Sequence, residues 1–241
     1  MQLQPFEVFN GITELIFIII TIILGLSIIA KYPKTKNREF LLVGIVWIGV
    51  AEPWFAGVFS FIYTLMTGKM VTVSLYLLIA FTFVPLTIFL WFIVFTDLVY
   101  KEKQKVILLI IAIYEIIFEV IFLFLVFSNP SSLAELHTPL VIEYKLVIQI
   151  YLVSTLLIIL ITGIIFSLKT RQAGTQEFKW RGNLLLIAFI SIIIGSIFDT
   201  FFTRDVILIL LKRLLLISAS NEFYLAFAMP KWMKTHIFKI K

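Results

Sequence analysis

Long apolar stretches recur seven times along the chain, separated by short polar segments. Each stretch is long enough to cross a bilayer as a helix, because about 20 apolar residues span the hydrocarbon core. The pattern therefore predicts an all-α membrane protein, a seven-transmembrane-helix bundle. The predicted spans cover residues 9–30, 40–66, 71–95, 106–127, 144–168, 184–202 and 206–229.

The composition supports membrane insertion and leaves no room for a second domain. Hydrophobic residues make up 61% of the chain and charged residues only 14%, which is not the balance of a soluble domain. The connections are too short to hold a soluble domain, and the one at 203–205 predicts a tight hairpin. We therefore expect residues 1–241 to form one multi-pass domain of the cell membrane, with a short basic cytoplasmic tail at 230–241.

The distribution of Lys and Arg predicts the orientation of the bundle. Fifteen of the 20 basic residues lie on one side, because alternate connections emerge at the same face. Basic residues are retained in the cytoplasm, so the N-terminus is predicted outside and the C-terminus inside. Lys31, Lys34, Lys36, Arg38, Lys101, Lys103, Lys105, Lys169, Arg171, Lys179, Arg181, Lys231, Lys234, Lys239 and Lys241 form the predicted cytoplasmic set.

Polar or small residues recur at helical spacing inside the spans. Such stripes are predicted to face the bundle interior, where interhelical hydrogen bonds satisfy them. Pro53 and Pro85 lie within the second and third spans and should kink them. The first-span stripe holds Glu14, Thr21 and Gly25, and the fifth-span stripe holds Tyr144, Tyr151, Thr155 and Thr162.

A structural ion pair is predicted between the last two spans. The connection between these spans is short, so Asp199 should lie level with Lys212 and Arg213 near the outer end. Pairing Asp199 with either base would offset part of the cost of an intramembrane charge, about 2.5–3.5 kcal/mol.

Four further acids lie deep in their spans, where the sequence offers no base to match them. Some are expected to be protonated at neutral pH, as in a proton-coupled carrier or a packed interface holding neutral carboxylic acids. Glu222 shares a helical face with Ser218, whereas Tyr224 shares a face with Arg213. The candidate residues for a ligand or proton path are Glu222, Glu119, Glu115, Glu52, Ser218 and Tyr224.

Catalytic and cofactor motifs are missing from the sequence. There is no cysteine, and with only two histidines a bis-His haem or a His-rich zinc hydrolase is excluded. We therefore predict no enzyme activity, no metal site and no cofactor. The net charge of +6 reflects membrane orientation rather than nucleic-acid binding, and the expected partners are membrane lipids, a small or lipidic ligand, and a cytoplasmic partner at the basic inner face.

Two sequence segments resemble those of a known family. They are residues 96–105, TDLVYKEKQK, and residues 221–234, NEFYLAFAMPKWMK. The chain resembles an uncharacterised archaeal family of small seven-span proteins over nearly its whole length. Its layout is also similar, more distantly, to the seven-helix sensor region N-terminal to some histidine kinases, which implies sensing by analogy. A retinal-type protein is a minor alternative, since Lys212 lies too near the outer end and the third span holds no acid before Asp97.

The leading functional hypothesis is a sensor- or receptor-like bundle. It would bind a small or lipidic ligand within the membrane and signal to a separate partner through its inner face. The alternative is a proton- or ion-coupled small-molecule transporter that uses the intramembrane glutamates. The third hypothesis is that the protein is a scaffold or accessory subunit.

Overall fold

Ten α-helices, two short 3₁₀-helices (Lys101–Lys103 and Pro130–Ser132) and one β-hairpin make up the regular structure that the computed structural model describes, over residues 3–201, 206–230 and 233, with only the backbone at 200 and 201. The predicted turn at 203–205 and most of the predicted tail at 230–241 lie outside these residues. The helices are α1 Pro5–Ile29, α2 Tyr32–Thr35, α3 Arg38–Val50, α4 Glu52–Thr67, α5 Val73–Phe81, α6 Val84–Val99, α7 Gln104–Ser128, α8 Leu146–Gln172, α9 Gln176–Phe201 and α10 Val206–Ala228. The strands are β1 Ala134–Thr138 and β2 Val141–Tyr144.

Five to six segments of the described chain are long and apolar enough to cross a membrane. Four of the first five contain α1, α7, α8 and most of α9, and the other combines α5 and α6. The sixth is α3 with α4, provided that this bent pair counts as one span. By length and composition, the protein is therefore a helical integral membrane protein. α10 is not among these segments, since it carries Lys212, Arg213 and Glu222.

The kink predicted at Pro53 is confirmed, and the helix of the third span is interrupted just before Pro85. α3 and α4 meet at Ala51 with a bend of 51°, two residues before Pro53. α5 and α6 are separated by Thr82 and Phe83, two residues before Pro85. Proline lacks the backbone N–H and its ring collides with the carbonyl four residues earlier, so each helix restarts with proline at its second position.

The segment predicted as a plain loop between the fourth and fifth spans forms the hairpin β1–β2. Glu135 pairs with Glu143 across the antiparallel strands, and Leu136 with Ile142. Tyr144 ends β2, so its prediction as the start of the fifth-span stripe is wrong. The segment forms strands because its side chains alternate between two faces. In β1, residues 134–138, buried or half-buried positions alternate with exposed ones.

The sixth span starts earlier than predicted. α9 begins at Gln176 rather than at 184, and the connection shrinks to the turn around Gly174, whose φ is 98°. The first turns of α9 are polar, but Glu177 and Arg181 form an ion pair one helical turn apart, at 2.7 Å. Such pairs stabilise a helix outside the apolar core, where hydropathy gives no signal.

The described helices pack as a ring that closes between α1 and α10. α10 packs against α1 and α9, α9 against α8, and α3 against α1 and α6. α7 packs against α5 and α6 and exposes most of its side chains, as a helix facing lipid does. The predicted stripes on α1 and α8 do face the interior: Glu14, Thr21, Tyr151, Thr155 and Thr162 are buried.

Candidate functional site

The structure brings together the three residues of the predicted ion pair and adds a fourth. Asp199 from α9 contacts Lys212, and its Oδ1 lies 3.5 Å from Nη2 of Arg213 on α10. The same Nη2 lies 2.7 Å from Oε2 of Glu14 on α1. Lys212 and Arg213 are 1% and 2% exposed, so both cations are desolvated. We call these four residues the paired cluster; its two acids and two bases balance in charge.

Polar and small neighbours complete the paired cluster. Trp54 Nε1 on α4 donates to Asp199 Oδ2 at 2.5 Å, and Arg213 Nη2 donates to Asn10 Oδ1 at 3.2 Å. Gly57 leaves room for Glu14, because a Cβ at this position would collide with Oε1 of Glu14. The cluster thus joins α1, α4, α9 and α10. Glu14 was missed as a partner of Arg213, although the sequence predicts both residues at a similar depth in their spans.

Three of the predicted path residues form a second group, the acidic cluster of Glu52, Glu115 and Glu119. Glu119 on α7 is close enough to Glu52 on α4 and to Glu115 for like-charge repulsion. Glu52 Oε1 accepts from the backbone N–H of Phe83 at 2.7 Å, within the break between α5 and α6. Glu115 Oε2 accepts from the Tyr151 hydroxyl at 2.8 Å.

Each acid of this cluster also has one buried oxygen without a hydrogen bond. These atoms are Oε2 of Glu52, Oε1 of Glu115 and Oε2 of Glu119. Among the described residues, no Lys, Arg or His forms a salt bridge with any of the three. The arrangement can hold protons or a cation, because buried carboxylates need compensation that the described side chains do not supply.

The other three predicted path residues lie apart on α10. Ser218 Oγ donates to Glu222 Oε1 at 2.7 Å, as their shared face predicts, while Oε2 of Glu222 is buried without a hydrogen bond. Tyr224 is half-buried and packs against the apolar core. α10 packs against α1 and α9, whereas α7 packs against α5 and α6. The predicted path is therefore divided between two sides of the bundle.

A cavity that the sequence did not predict opens at the end of the bundle where α3 and α9 begin and α6, α8 and α10 end. This inner cavity has a volume of about 360 Å³. It lies at the end where the sequence predicts the cytoplasmic side. Its walls include Phe40, Leu98, Phe166, Lys169, Arg181 and Phe227.

An aromatic layer lies deeper between the same five helices. Trp47 stacks on Phe223 with ring centroids 3.8 Å apart, and Phe189 contacts both Phe223 and Trp91, at 6.0 and 5.3 Å. The void within this layer is only about 10 Å³ and is lined by apolar residues. At most one water fits such a space, so the void is too small for a ligand.

Ring contacts connect the inner cavity with the aromatic layer. Phe166 of the cavity wall lies 5.4 Å from Trp91, and Phe227 lies 4.9 Å from Phe223. Trp47, on α3, is one helical turn before the bend at Ala51. Packed side chains therefore run continuously from the cavity to the bend in the α3–α4 span.

The hairpin carries the one group of potential metal ligands found among the described residues. Glu135, His137 and Glu143 each offer an atom within 4.8 Å of the others, and all three are exposed. Lys145 already lies 3.3 Å from Glu135 and 2.9 Å from Glu143. Hydrogen bonds from Lys145 and His137 hold the pKa of Glu143 below its ordinary value. These contacts account for the cluster without a metal ion.

Comparison of the sequence with models of protein families found no match, and comparison with curated proteins found none either. The resemblance to the archaeal seven-span family therefore stays a prediction.

Proposed function

We propose that the protein is a receptor-like seven-helix membrane protein, with its N-terminus outside and its C-terminus in the cytoplasm, that binds a small or lipidic ligand and signals to a separate partner. The inner cavity is the observation that carries this proposal. Its volume of about 360 Å³ falls in the range of ligand sites, about 300–1,000 Å³. α10 is the seventh span, shielded on its charged side by α1 and α9.

The aromatic layer favours binding of a ligand in the inner cavity over transport of that ligand from the cavity through the bundle. A ligand in the inner cavity meets Phe166 and Phe227, and beyond them Trp91 and Phe223. The void behind them admits at most one water, so the cavity ends there. A bound ligand would press on these rings rather than pass them, and Trp47 would transmit the displacement to the bend at Ala51.

Filling the cavity by mutation tests this coupling without knowledge of the ligand. Ala226 is buried and lines the cavity, so Ala226→Leu places extra side-chain volume where a ligand would bind. The chain lacks cysteine, so Ile45→Cys and Ile62→Cys give a clean pair of spin labels on exposed positions either side of the bend. We expect Ala226→Leu to shift the distance between the labels.

Ala112→Leu, on the peripheral helix α7, is the matched control and should leave that distance unchanged. An unchanged label distance in a folded Ala226→Leu protein would contradict the coupling between cavity and bend.

A proton- or ion-coupled transporter is the second candidate, and the acidic cluster is the observation that favours it. Three carboxyls that each have a buried oxygen without a hydrogen bond, two of them on the lipid-facing helix α7, are suited to taking up protons or cations. Purified protein in liposomes under an imposed potential distinguishes the two candidates. The receptor proposal expects no ion or proton flux above that of empty liposomes.

Flux that Glu119→Gln or Glu222→Gln abolishes would overturn the receptor proposal in favour of the transporter. The two variants also separate the two sides of the bundle, since Glu119 belongs to the acidic cluster and Glu222 lies on α10. Flux that only Glu119→Gln abolishes would place the path at the acidic cluster.

A further inference from the structure

We propose that the inner cavity binds an anionic membrane lipid, with the acidic headgroup at Lys169 and Arg181 and a hydrocarbon chain against Phe166 and Phe227. The inference rests on the proposed receptor function, whose ligand class it names. It is carried by the chemistry of the cavity wall, which is basic at the rim and apolar inside.

The rim supplies the positive charge. Lys169 lies in the last turn of α8, is exposed, and forms no ion pair with any described residue. Arg181 on α9 uses Nε and Nη2 to bind Glu177, at 3.1 and 2.7 Å. The charge of Lys169 is thus uncompensated, and an acidic group beside it would also be within the field of Arg181.

The rest of the rim is polar but does not cancel this charge. Glu39 is the single acid of the wall and belongs to the first turn of α3, not to α8 or α9. Asn37 Oδ1 accepts from the backbone N–H of Glu39 at 2.9 Å, which fixes the start of that helix. The α8–α9 side of the mouth therefore attracts an anion.

The interior of the cavity offers a surface for hydrocarbon. Phe40 and Leu185 line it together with Phe166 and Phe227, and none of these side chains has a polar atom. An anion without an apolar part would leave this surface in contact with water, whereas a lipid chain would cover it. An amphiphile fits both the basic rim and the apolar interior of the cavity at once.

The location of the cavity fits a lipid of the inner leaflet. It opens at the end of the bundle where the sequence places fifteen of 20 basic residues. Phe178 and Leu98 at the mouth are both exposed, so a chain can enter from the membrane interface without crossing water. Anionic lipids are concentrated beside such basic surfaces.

The test is lipid retention on the detergent-purified full chain, measured by native mass spectrometry after exposure to mixed micelles of phosphatidylglycerol and phosphatidylcholine. We expect preferential retention of phosphatidylglycerol. Lys169→Gln should lower that preference about fivefold, the contribution of one basic residue at an anionic surface. Lys103→Gln, an equal change of charge at the same end of the bundle but outside the cavity, should leave the preference unchanged.

A second variant tests whether the lipid enters the cavity through its rim. Ala173→Trp places a large ring at the exposed rim and should prevent retention of phosphatidylglycerol, with the fold checked by circular dichroism. Inorganic phosphate added at the same concentration as the lipid should not displace it. Displacement by phosphate would overturn the lipid in favour of a free anion.

Three further outcomes would overturn the inference. They are equal retention of the two lipids, equal losses in Lys169→Gln and Lys103→Gln, and unchanged retention in folded Ala173→Trp. Lipid retention is measured without flux or label distances, so its failure is distinguishable from failure of the receptor function. A flux that identifies a transporter would leave a lipid site intact, and loss of the lipid site would leave the cavity–bend coupling to be judged from the spin labels.

Discussion

The paired cluster and the acidic cluster both lie among the helices, yet only the paired cluster balances its acids with bases. Glu14 and Asp199 face two cations, and the four side chains bind one another across α1, α9 and α10. The three acids of the acidic cluster have no cation among the described residues and one unpaired oxygen each. Paired charges hold helices together, whereas unpaired acids are available to bind protons or a cation.

Position in the ring explains the different roles. The paired cluster joins α1 to α9 and α10, and therefore closes the ring between the first and last helices. The acidic cluster joins the continuous helix α7 to the two interrupted spans, where Glu52 accepts a hydrogen bond from the backbone N–H of Phe83. Substitutions in the paired cluster should therefore destabilise the protein most. The acidic cluster should tolerate loss of charge as long as its hydrogen bonds remain.

The largest effect is expected from Arg213→Met in the paired cluster. It removes a buried cation and leaves Glu14 without its ion-pair partner, so the free energy of unfolding should fall by about 3–5 kcal/mol. Unfolding by denaturant in mixed micelles, followed by circular dichroism, measures this. The double variant Glu14→Gln with Arg213→Met should recover part of the loss; no recovery would mean that the pair is not coupled.

A smaller loss is expected from Glu52→Ala in the acidic cluster. The substitution removes the acceptor for Phe83 N–H and should lower the free energy of unfolding by about 1–3 kcal/mol. Glu52→Gln keeps an acceptor oxygen, and its stability in the same assay should stay close to that of the unaltered protein. Equal losses in the two variants would show that the charge of Glu52, rather than its hydrogen bond, stabilises the break.

Neutralising Glu115 should change stability least within the bundle. Glu115→Gln keeps an oxygen for the Tyr151 hydroxyl and removes like-charge repulsion with Glu119. We expect a change below about 1 kcal/mol, the size of one ordinary hydrogen bond. A loss as large as that of Arg213→Met would mean that the acidic cluster is paired after all and would remove the contrast between the two regions.

The exposed ion pairs of the hairpin should give the smallest effect and a defined pH dependence. Because Lys145 and His137 lower the pKa of Glu143 below its ordinary 4.5, the carboxylate stabilises the hairpin above that pH. This contribution is lost as the pH falls through the lowered folded-state pKa. Hydrogen exchange of β1 and β2 amides should show this loss, and Glu143→Gln should remove it. An identical pH profile in the variant would contradict the assignment to Glu143.

Depth within a span was enough to predict some contacts. Asp199 and the two bases of α10 were expected at one level, and the structure brings them together. The bend near Pro53 and the interruption before Pro85 also follow from the sequence, because proline acts on its own helix. The hairpin was missed because its alternating pattern extends over only a few residues, and a hydropathy profile does not resolve it.

The sequence by itself determined the features that depend on a residue and its near neighbours: apolar helices long enough for a membrane, their interruptions, and the predicted orientation. The tertiary structure decided which buried charges are neighbours. Glu14 lies beside Arg213, which is 199 residues away along the chain, whereas Glu222 binds Ser218 on its own helix, α10, which packs against α1 and α9. The inner cavity is also a feature of the tertiary structure, because it forms where the ends of five helices leave a space between them. The sequence of any single segment therefore does not predict it.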